Sequence, residues 1–308
     1  MEILKGNNPF LLHNETAAAI GFFDGVHKGH QFLFNQLKKY AVINKLSTMM
    51  ITFQQFPQAV LKSGFQPQLL NTFDEKIYRL STTGIDYCLL LDFTKSLSQL
   101  TAKEFIQKKL REELNVRLLL IGYDHRFGKN RSEGFDDYLL YGKECGMDII
   151  LAPELPDISV SSTLIRKSLA EKDVNYAYRM LSYFYCLEGK VIEGDRIGMQ
   201  IGFPTANLEV FDKSKIIPGE GVYAAIVNLE REKRQGMVYI GKRPTVSVLG
   251  EKRIEIHLFN FSGDLYGKTL RLEFVDFIRE DKHFVNLEEL KKQLYLDKEA
   301  AISILNQV

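Results

Sequence analysis

The chain has 308 residues, 45% hydrophobic and 26% charged, with a formal net charge of +1. That length exceeds what one hydrophobic core usually serves, so two domains are expected. The near-neutral charge argues against broad electrostatic capture of nucleic acid or of an anionic membrane, so an anionic ligand must be held by local groups. The longest apolar runs are strand-sized and too short to span a bilayer, and residues 1–12 do not read as a signal peptide. Cys88, Cys145 and Cys186 are isolated and odd in number, the expectation for reduced thiols in a cytoplasmic protein rather than disulfides or zinc ligands.

In chain order, short runs that are apolar on both faces predict strands over 17–23, 47–53, 87–93, 118–123 and 148–152, as in a parallel sheet covered by helices. Helical periodicity predicts 31–44, 74–82, 102–114 and 135–145 between them, with Thr101 and Glu104 as a capping box. This βαβ rhythm implies a Rossmann-like, doubly wound α/β sheet. A helical stretch over 163–181 is expected to bridge the domains. Beyond about Leu181 the pattern turns to strands and glycine turns, over 186–192, 221–229, 236–240, 253–259 and 269–277, which predicts a small antiparallel barrel or sandwich. A last helix over 287–305 opens at Asn286 with Glu289 three residues on. The expected domains are therefore 1–182 and 183–308.

Residues 21–30 read Gly-Phe-Phe-Asp-Gly-Val-His-Lys-Gly-His, between a predicted strand and a predicted helix. Unpaired N–H groups at a helix start favour negative charge, and two imidazoles, His27 and His30, add to that preference; a polyphosphate suits the spot. Two further segments are placed beyond strand ends of the same sheet, where open α/β sheets bind ligands. One is Ile121-Gly-Tyr-Asp-His-Arg-Phe-Gly-Lys-Asn-Arg131. The other is Ser161-Ser-Thr-Leu-Ile-Arg166, in which Ser161 or Ser162 can cap a helix and Arg166 can offer a bidentate fork to phosphate. His125 and Arg126 are read as serving the loop's own packing or general phosphate attraction. A zinc site at His27 and His30 is disfavoured, because no cysteine lies near them in sequence.

The spacing His-x-Gly-His resembles the signature of nucleotidyltransferases. The order Gly-Phe-Phe-Asp-Gly-Val-His-x-Gly-His, Gly-x-Asp-x-x-Phe-Gly, Ser-Ser-Thr-x-Ile-Arg is similar to prokaryotic FAD synthetase, the bifunctional riboflavin kinase/FMN adenylyltransferase, and the likeness runs over nearly the whole chain. The resemblance implies that FMN phosphate attacks the α-phosphorus of ATP and pyrophosphate leaves, with no covalent intermediate. It implies a transferase site on Gly21, Phe22, Asp24, Gly25, His27 and His30, with Asp124 near nucleotide or flavin and Ser161, Ser162, Thr163 and Arg166 on the phosphates. Phe53 and Phe56 are weaker candidates for flavin stacking.

The second half carries its own phosphate signature. Gly194, Gly198 and Gly202, in Glu-Gly-Asp-Arg-Ile-Gly-Met-Gln-Ile-Gly-Phe-Pro-Thr-Ala-Asn, let backbone approach an anion closely. The segment is neither a Walker loop nor a dinucleotide fingerprint. Pro204 stiffens the turn. Thr205 and Asn207, two apart, share a side if extended, and their hard oxygens suit Mg²⁺ together with nucleotide phosphates. The Gly-Phe-Pro-Thr-Ala-Asn run resembles the riboflavin kinase signature, which implies a small antiparallel β-barrel and Thr205 and Asn207 as Mg²⁺–ATP contacts. Further matches are Pro218–Tyr223 and residues 241–245. Where relatives carry a basic residue this chain has Met199, and Arg196 is the candidate substitute. In Arg253-Ile-Glu-Ile-His-Leu258 the apolar residues share one face, and Arg253, Glu255 and His257 share the other. Glu255 there suits a general base for a ribityl hydroxyl or, on the plain reading, part of a solvated charge ladder; the resemblance points to the base. Arg279 either contacts flavin or phosphate or is an exposed strand-end arginine. Phe284 and the final helix are expected to close the barrel and border the flavin.

The expectation is thus an ATP-using, Mg²⁺-dependent enzyme with two activities: riboflavin and ATP give FMN and ADP, then FMN and ATP give FAD and pyrophosphate, the flavin being substrate and product rather than a redox cofactor. Intact His27, His30 and Arg166 argue against a kinase-only chain. The neutral charge and lack of an aromatic–basic pattern around Lys129 and Arg131 argue against a nucleic-acid binder. No membrane partner is expected, and oligomeric state is not legible.

Overall fold

The structure, a computed structural model, describes residues 1–6, 14–61, 64, 66–123, 125–156, 159–194, 197–230, 232–242 and 252–308. Of the candidate residues, Asp124, Arg196 and 243–245 lie outside these. The chain divides into two compact units, Met1–Ser161 and Ser162–Val308.

The first unit is a six-stranded, all-parallel sheet built from β1 (Glu2–Lys5), β2 (Thr16–Ile20), β3 (Ser47–Phe53), β4 (Tyr87–Leu91), β5 (Val116–Ile121) and β6 (Asp148–Leu151), in the order β1-β4-β3-β2-β5-β6. Period-two alternation sends Ala18, Ile20, Met49 and Ile51 into the core on one face and Ala17, Ala19, Met50 and Cys88 into the core on the other. Both faces are covered, as the doubly apolar strands predict. The helix Lys28–Asn44 packs Leu33, Phe34, Leu37 and Ala41 against the second face. The capping box at Thr101 is formed, Glu104 N–H donating to Thr101 Oγ1 at 3.2 Å and Thr101 N–H to Glu104 Oε2 at 3.1 Å. The edge strand β1 has no counterpart in the sequence reading. Only Leu4 of its four residues is buried, so it carries no legible apolar run.

From β2 the chain runs outward to β3 and β4, then returns to place β5 on the other side of β2. The strand order therefore reverses between β2 and β5, and such a reversal opens a crevice at the strands' carboxyl ends. Gly21 leaves one of those ends and Gly122 the other.

The second unit is a closed barrel in the order β10-β11-β8-β7-β12-β9, formed by β7 (Cys186–Ile192), β8 (Ala206–Val210), β9 (Gly221–Leu229), β10 (Glu232–Lys242), β11 (Lys252–Leu258) and β12 (Thr269–Arg279). All its pairings are antiparallel. Strand β10 outruns its predicted core because it pairs with β9 from Glu232, opposite Leu229, through its polar start. The short β8 has no counterpart among the predicted strands, although its Ala206, Leu208 and Val210 alternate with Asn207 and Glu209; it is five residues long and directly follows the Gly202–Pro204 turn. The final helix Leu287–Leu305 begins as expected, with Glu289 N–H donating to Asn286 Oδ1 at 2.9 Å. The stretch expected as one bridging helix is two, Ser162–Ala170 and Val174–Leu181. The break comes where Lys172 takes φ 72° and Asp173 caps the second helix, accepting from Tyr176 N–H at 2.8 Å. Val174–Leu181 packs on β12, which sets the contact boundary at Ser161/Ser162 rather than at the expected 182/183.

Candidate active sites

In the first unit the turn after β2 is wound tightly. Phe23 is left-handed (φ 56°), Gly25 follows at φ 82° and Val26 at φ 40°, and the helix starts at Lys28. Such backbone persists only where its surroundings hold it, and it clusters at functional sites. His27 is buried and caps the helix: its Nδ1 accepts from His30 N–H at 3.4 Å. The two rings stack at 3.6 Å between centroids, and Phe23 meets His30 edge-on at 5.2 Å. A Cβ on Gly29 would lie 3.2 Å from His27 Nδ1 and 3.6 Å from the Val160 carbonyl oxygen. Glycine thus leaves room for the His27 ring, against which a side chain would press.

Among the described residues the amides of Lys28 and Gly29 have no hydrogen-bond partner, and the buried Nδ1 of His30 has none either. Buried polar atoms are normally paired, so this corner is built to receive an acceptor. Burial first, then the neighbouring His27 and His125, holds His30 well below the usual histidine range, so it is neutral at pH 7. His125 is the residue underrated by sequence reasoning. It was read as serving its own loop or general phosphate attraction, yet it acts electrostatically on His30. Its sign in the sequence was its place directly after a strand end.

The other transferase candidates divide. Gly21 N–H donates to Ile51 O at 3.0 Å. Phe22 packs edge-on against Phe56 at 4.8 Å, and Phe53 against Phe93 at 5.4 Å. Asp24 is buried, and its carboxylate accepts from the amides of Leu70 (3.0 Å) and Asn71 (3.1 Å), which anchors the segment before the helix Phe73–Ser81. Ser161 closes the first unit, while Ser162, Thr163 and Arg166 lie on the helix that opens the second.

The second unit holds a cavity of about 280 Å³ whose wall includes Gly198, Phe203, Thr205, Arg253, Glu255 and His257. Strand β11 behaves as its alternation predicts: Ile254, Ile256 and Leu258 are core, and Arg253, Glu255 and His257 line the cavity. Thr205 Oγ1 donates to Glu255 Oε2 at 3.0 Å. Arg253 Nε reaches Glu255 Oε1 at 2.7 Å and Asn207 Oδ1 at 2.9 Å. Register places Asn207 opposite Glu255. Gly194 is required here, because a Cβ on it would stand 1.8 Å from Asn207 Nδ2. The Pro204 carbonyl lies 2.9 Å from His257 Nδ1, and burial lowers that imidazole's proton affinity. Gly202 takes φ 83° in the turn between Gly198 and Pro204. Strand β10 adds Met237 and Tyr239 to the wall, opposite His257 and Glu255; burial, followed by Asp281, pushes the Tyr239 phenol up to about 12. The alternation of 237 and 239 was the unread signal for them.

One kinase candidate sits elsewhere than expected, and another has protein partners that the sequence did not show. Tyr223 is fully buried between Phe274 and Phe277, with its hydroxyl donating to the Gly219 carbonyl; it is core, not cavity wall. Arg279 borders the cavity but is neither exposed nor unengaged: its Nε and an Nη both donate to Asp297 at 2.8 Å, and its other Nη to Glu280 O. Met199, at the position where a basic residue was expected, is exposed. Phe284, with Leu290 and Leu294 of the final helix, closes the cavity as anticipated.

A parallel sheet with an unsatisfied, imidazole-lined anion corner at its switch point, continued by a barrel with a carboxylate among hard oxygen donors, defines a two-unit phosphate-transferring enzyme. Comparison with known proteins makes the class specific. The family model described as FAD synthetase matches residues 11–164, and that described as riboflavin kinase matches 181–305. Curated proteins named bifunctional riboflavin kinase/FMN adenylyltransferase are similar along their whole length: that of Escherichia coli K12 at 33% identity over 97% of this chain and 96% of its own, that of Pseudomonas fluorescens at 34% over 98% and 97%. A crystal structure from Streptococcus pneumoniae, described as of a macrolide-efflux protein, superposes with a TM-score of 0.86 at 30% identity, covering 98% of this chain and 99% of that one. The chain belongs to the bifunctional riboflavin kinase/FMN adenylyltransferase family.

Proposed function

We infer that the two activities of FAD biosynthesis are divided between two chemically distinct sites, residues 1–182 transferring adenylyl and residues 183–308 transferring phosphoryl. The enzyme phosphorylates riboflavin with ATP to FMN, then adenylylates FMN with ATP to FAD. The observation that carries the division is that each unit holds its own cluster, built from different chemistry: imidazoles and amides without acceptors in one, a carboxylate with hydroxyl and amide oxygens in the other.

In the transferase half the N–H groups of Lys28 and Gly29 and the imidazoles of His27 and His30 receive the ATP phosphates. From the Ser-Ser-Thr-x-Ile-Arg motif, Ser161, Ser162, Thr163 and Arg166 are assigned to the phosphates by the family resemblance, the FAD synthetase match reaching residue 164. FMN phosphate is already anionic, so no general base is required; positioning and stabilisation of the departing pyrophosphate carry the rate. Asp24 serves by anchoring residues 70–71.

In the kinase half Glu255 accepts the proton of the ribityl hydroxyl as that oxygen attacks the γ-phosphorus, and ADP leaves. Thr205 Oγ1 and Asn207 Oδ1, directed at the same space as Glu255, fit a hard divalent cation that takes its remaining ligands from phosphates. When bound there, magnesium screens the phosphate charge. Arg253, paired with Glu255 at 2.7 Å, fixes the orientation of its carboxylate. Cys88, Cys145 and Cys186 are not joined in disulfides, which fits a reducing, cytoplasmic setting.

Chromatography of products from riboflavin, ATP and Mg²⁺ tests this reading. FMN should precede FAD. His30→Ala should accumulate FMN, and Glu255→Ala should make FAD only from supplied FMN. Loss of both steps in either folded variant would refute the division.

A further inference from the structure

One buried cation in the first unit has no part in the chemistry so far. Lys76, on the helix Phe73–Ser81, is only 2% exposed. Its ammonium donates to Phe53 O (2.8 Å) at the end of β3, to Phe22 O (3.3 Å) in the histidine turn, and to Thr52 Oγ1 (3.4 Å). Thr52 Oγ1 itself donates to Phe22 O at 3.1 Å. The ammonium also lies 4.0 Å from the centre of the Phe22 ring. All three of these acceptors are neutral oxygens. Burying an ammonium is costly, and packing alone would be served as well by an apolar side chain. The charge is therefore kept for where it is held, at the carboxyl ends of neighbouring strands β2 and β3, on the residue that precedes left-handed Phe23 and its contact with His30.

We propose that Lys76 is a positioning residue of the adenylyltransferase half: its ammonium ties the turn bearing His27 and His30 to the end of β3, and the transfer step, but not the kinase step, depends on that tie. The inference rests on the reading that adenylyl transfer occurs at His27 and His30. It acts through the backbone and ring of Phe22, so the loss belongs in kcat and not in the KM for ATP.

The tie titrates. Burial lowers the Lys76 ammonium to about 8, opposed by Asp24 of the turn and, less, by Cys88 of β4. Glu75 beside it is occupied in capping, accepting from Thr72 N–H. Burial raises the Cys88 thiol to about 11, and His30 is neutral throughout this range, so neither changes charge between pH 7 and 9.5. Above about pH 8 the folded protein loses the Lys76 proton while the unfolded chain keeps it up to about 10.4. The unfolded state binds more protons in that window, so this group makes stability rise with pH. FAD formation should fall over the same window. A purely structural lysine would send activity and stability the same way.

The test uses the full-length enzyme, with its own kinase reaction as internal control. In Lys76→Met, kcat for FMN adenylylation should fall at least tenfold, with KM for ATP and the rate of riboflavin phosphorylation each within twofold. Wild type should lose adenylylation, but not phosphorylation, with a midpoint near pH 8. Lys76→Arg, which cannot deprotonate there, should keep partial activity and lose that midpoint. Retention of kcat in Lys76→Met overturns the proposal. So does a midpoint unmoved in Lys76→Arg, which decides the matter if the Met variant does not fold. His30→Ala is run alongside: full FAD formation in it would instead sink the assignment of the transfer site.

Discussion

Removing Arg279 should loosen the kinase barrel where its last strand meets the final helix, through the Arg279–Asp297 pair. The pair joins the end of β12 to the final helix by two 2.8 Å hydrogen bonds, and Asp297 is 1% exposed. Arg279→Met strands that carboxylate in the interior, a change that costs about 3–5 kcal/mol when one partner of a buried pair is lost. Gln293 Nε2 still donates to Asp297 Oδ1 at 2.9 Å, which places the expectation at the lower end. At roughly 2–4 °C per kcal/mol for a domain of this size, the transition should drop by about 6–12 °C. Calorimetry of the full chain, matched to loss of kinase activity on heating, identifies the barrel's transition. The double variant Arg279→Met/Asp297→Leu should recover most of the loss, because no charge is left buried. Riboflavin KM should rise in the single variant, since Leu290 and Leu294 of the same helix line the cavity. A single variant within 2 °C of wild type by this calorimetry, or a double variant as unstable as the single, would refute the reasoning.

Other outcomes follow from the same geometry. Gly194→Ala drives a Cβ into Asn207 and should cut riboflavin phosphorylation about a hundredfold, with FMN adenylylation unchanged in the same preparation. Asp24→Ala leaves the buried amides of Leu70 and Asn71 without their acceptor, at about 1–3 kcal/mol apiece, and should lower both the urea midpoint of the first unit and FAD formation. His30 is held neutral, so below its ordinary range the unfolded chain binds a proton that the folded one resists. Stability of the first unit should therefore fall as pH drops below about 6.5, and His30→Gln should flatten that fall in thermal melts between pH 5 and 7.

What the sequence disclosed followed from how each feature is encoded. Strands β2 to β6 were legible because burial on both faces demands unbroken apolar runs, and β11 because its cavity face alternates with its core face. Strands β1 and β8 were not, since one has a single buried residue and the other is a five-residue run directly after a glycine–proline turn. The motif residues His27, His30, Thr205 and Asn207 stood out because glycines and polar groups interrupt the apolar pattern at strand ends, and Glu255 because it alternates with core residues within β11. Tyr223 was misplaced, and the protein partners of Arg279 were missed, for the opposite reason. A tyrosine in a matched motif and an arginine past a strand read as ligand contacts, and only three-dimensional packing reveals Phe274, Phe277 and Asp297 as their partners. Lys76 was invisible within an ordinary amphipathic helix, because nothing local marks a lysine as facing inward.

The most direct test of two separate phosphorus-transfer sites follows the label from α- and γ-labelled ATP in Glu255→Gln and His30→Ala enzymes. Glu255→Gln should place no γ-label on riboflavin yet carry α-label into FAD when FMN is supplied; His30→Ala should do the reverse. Either enzyme, folded, failing to transfer both labels would contradict the account.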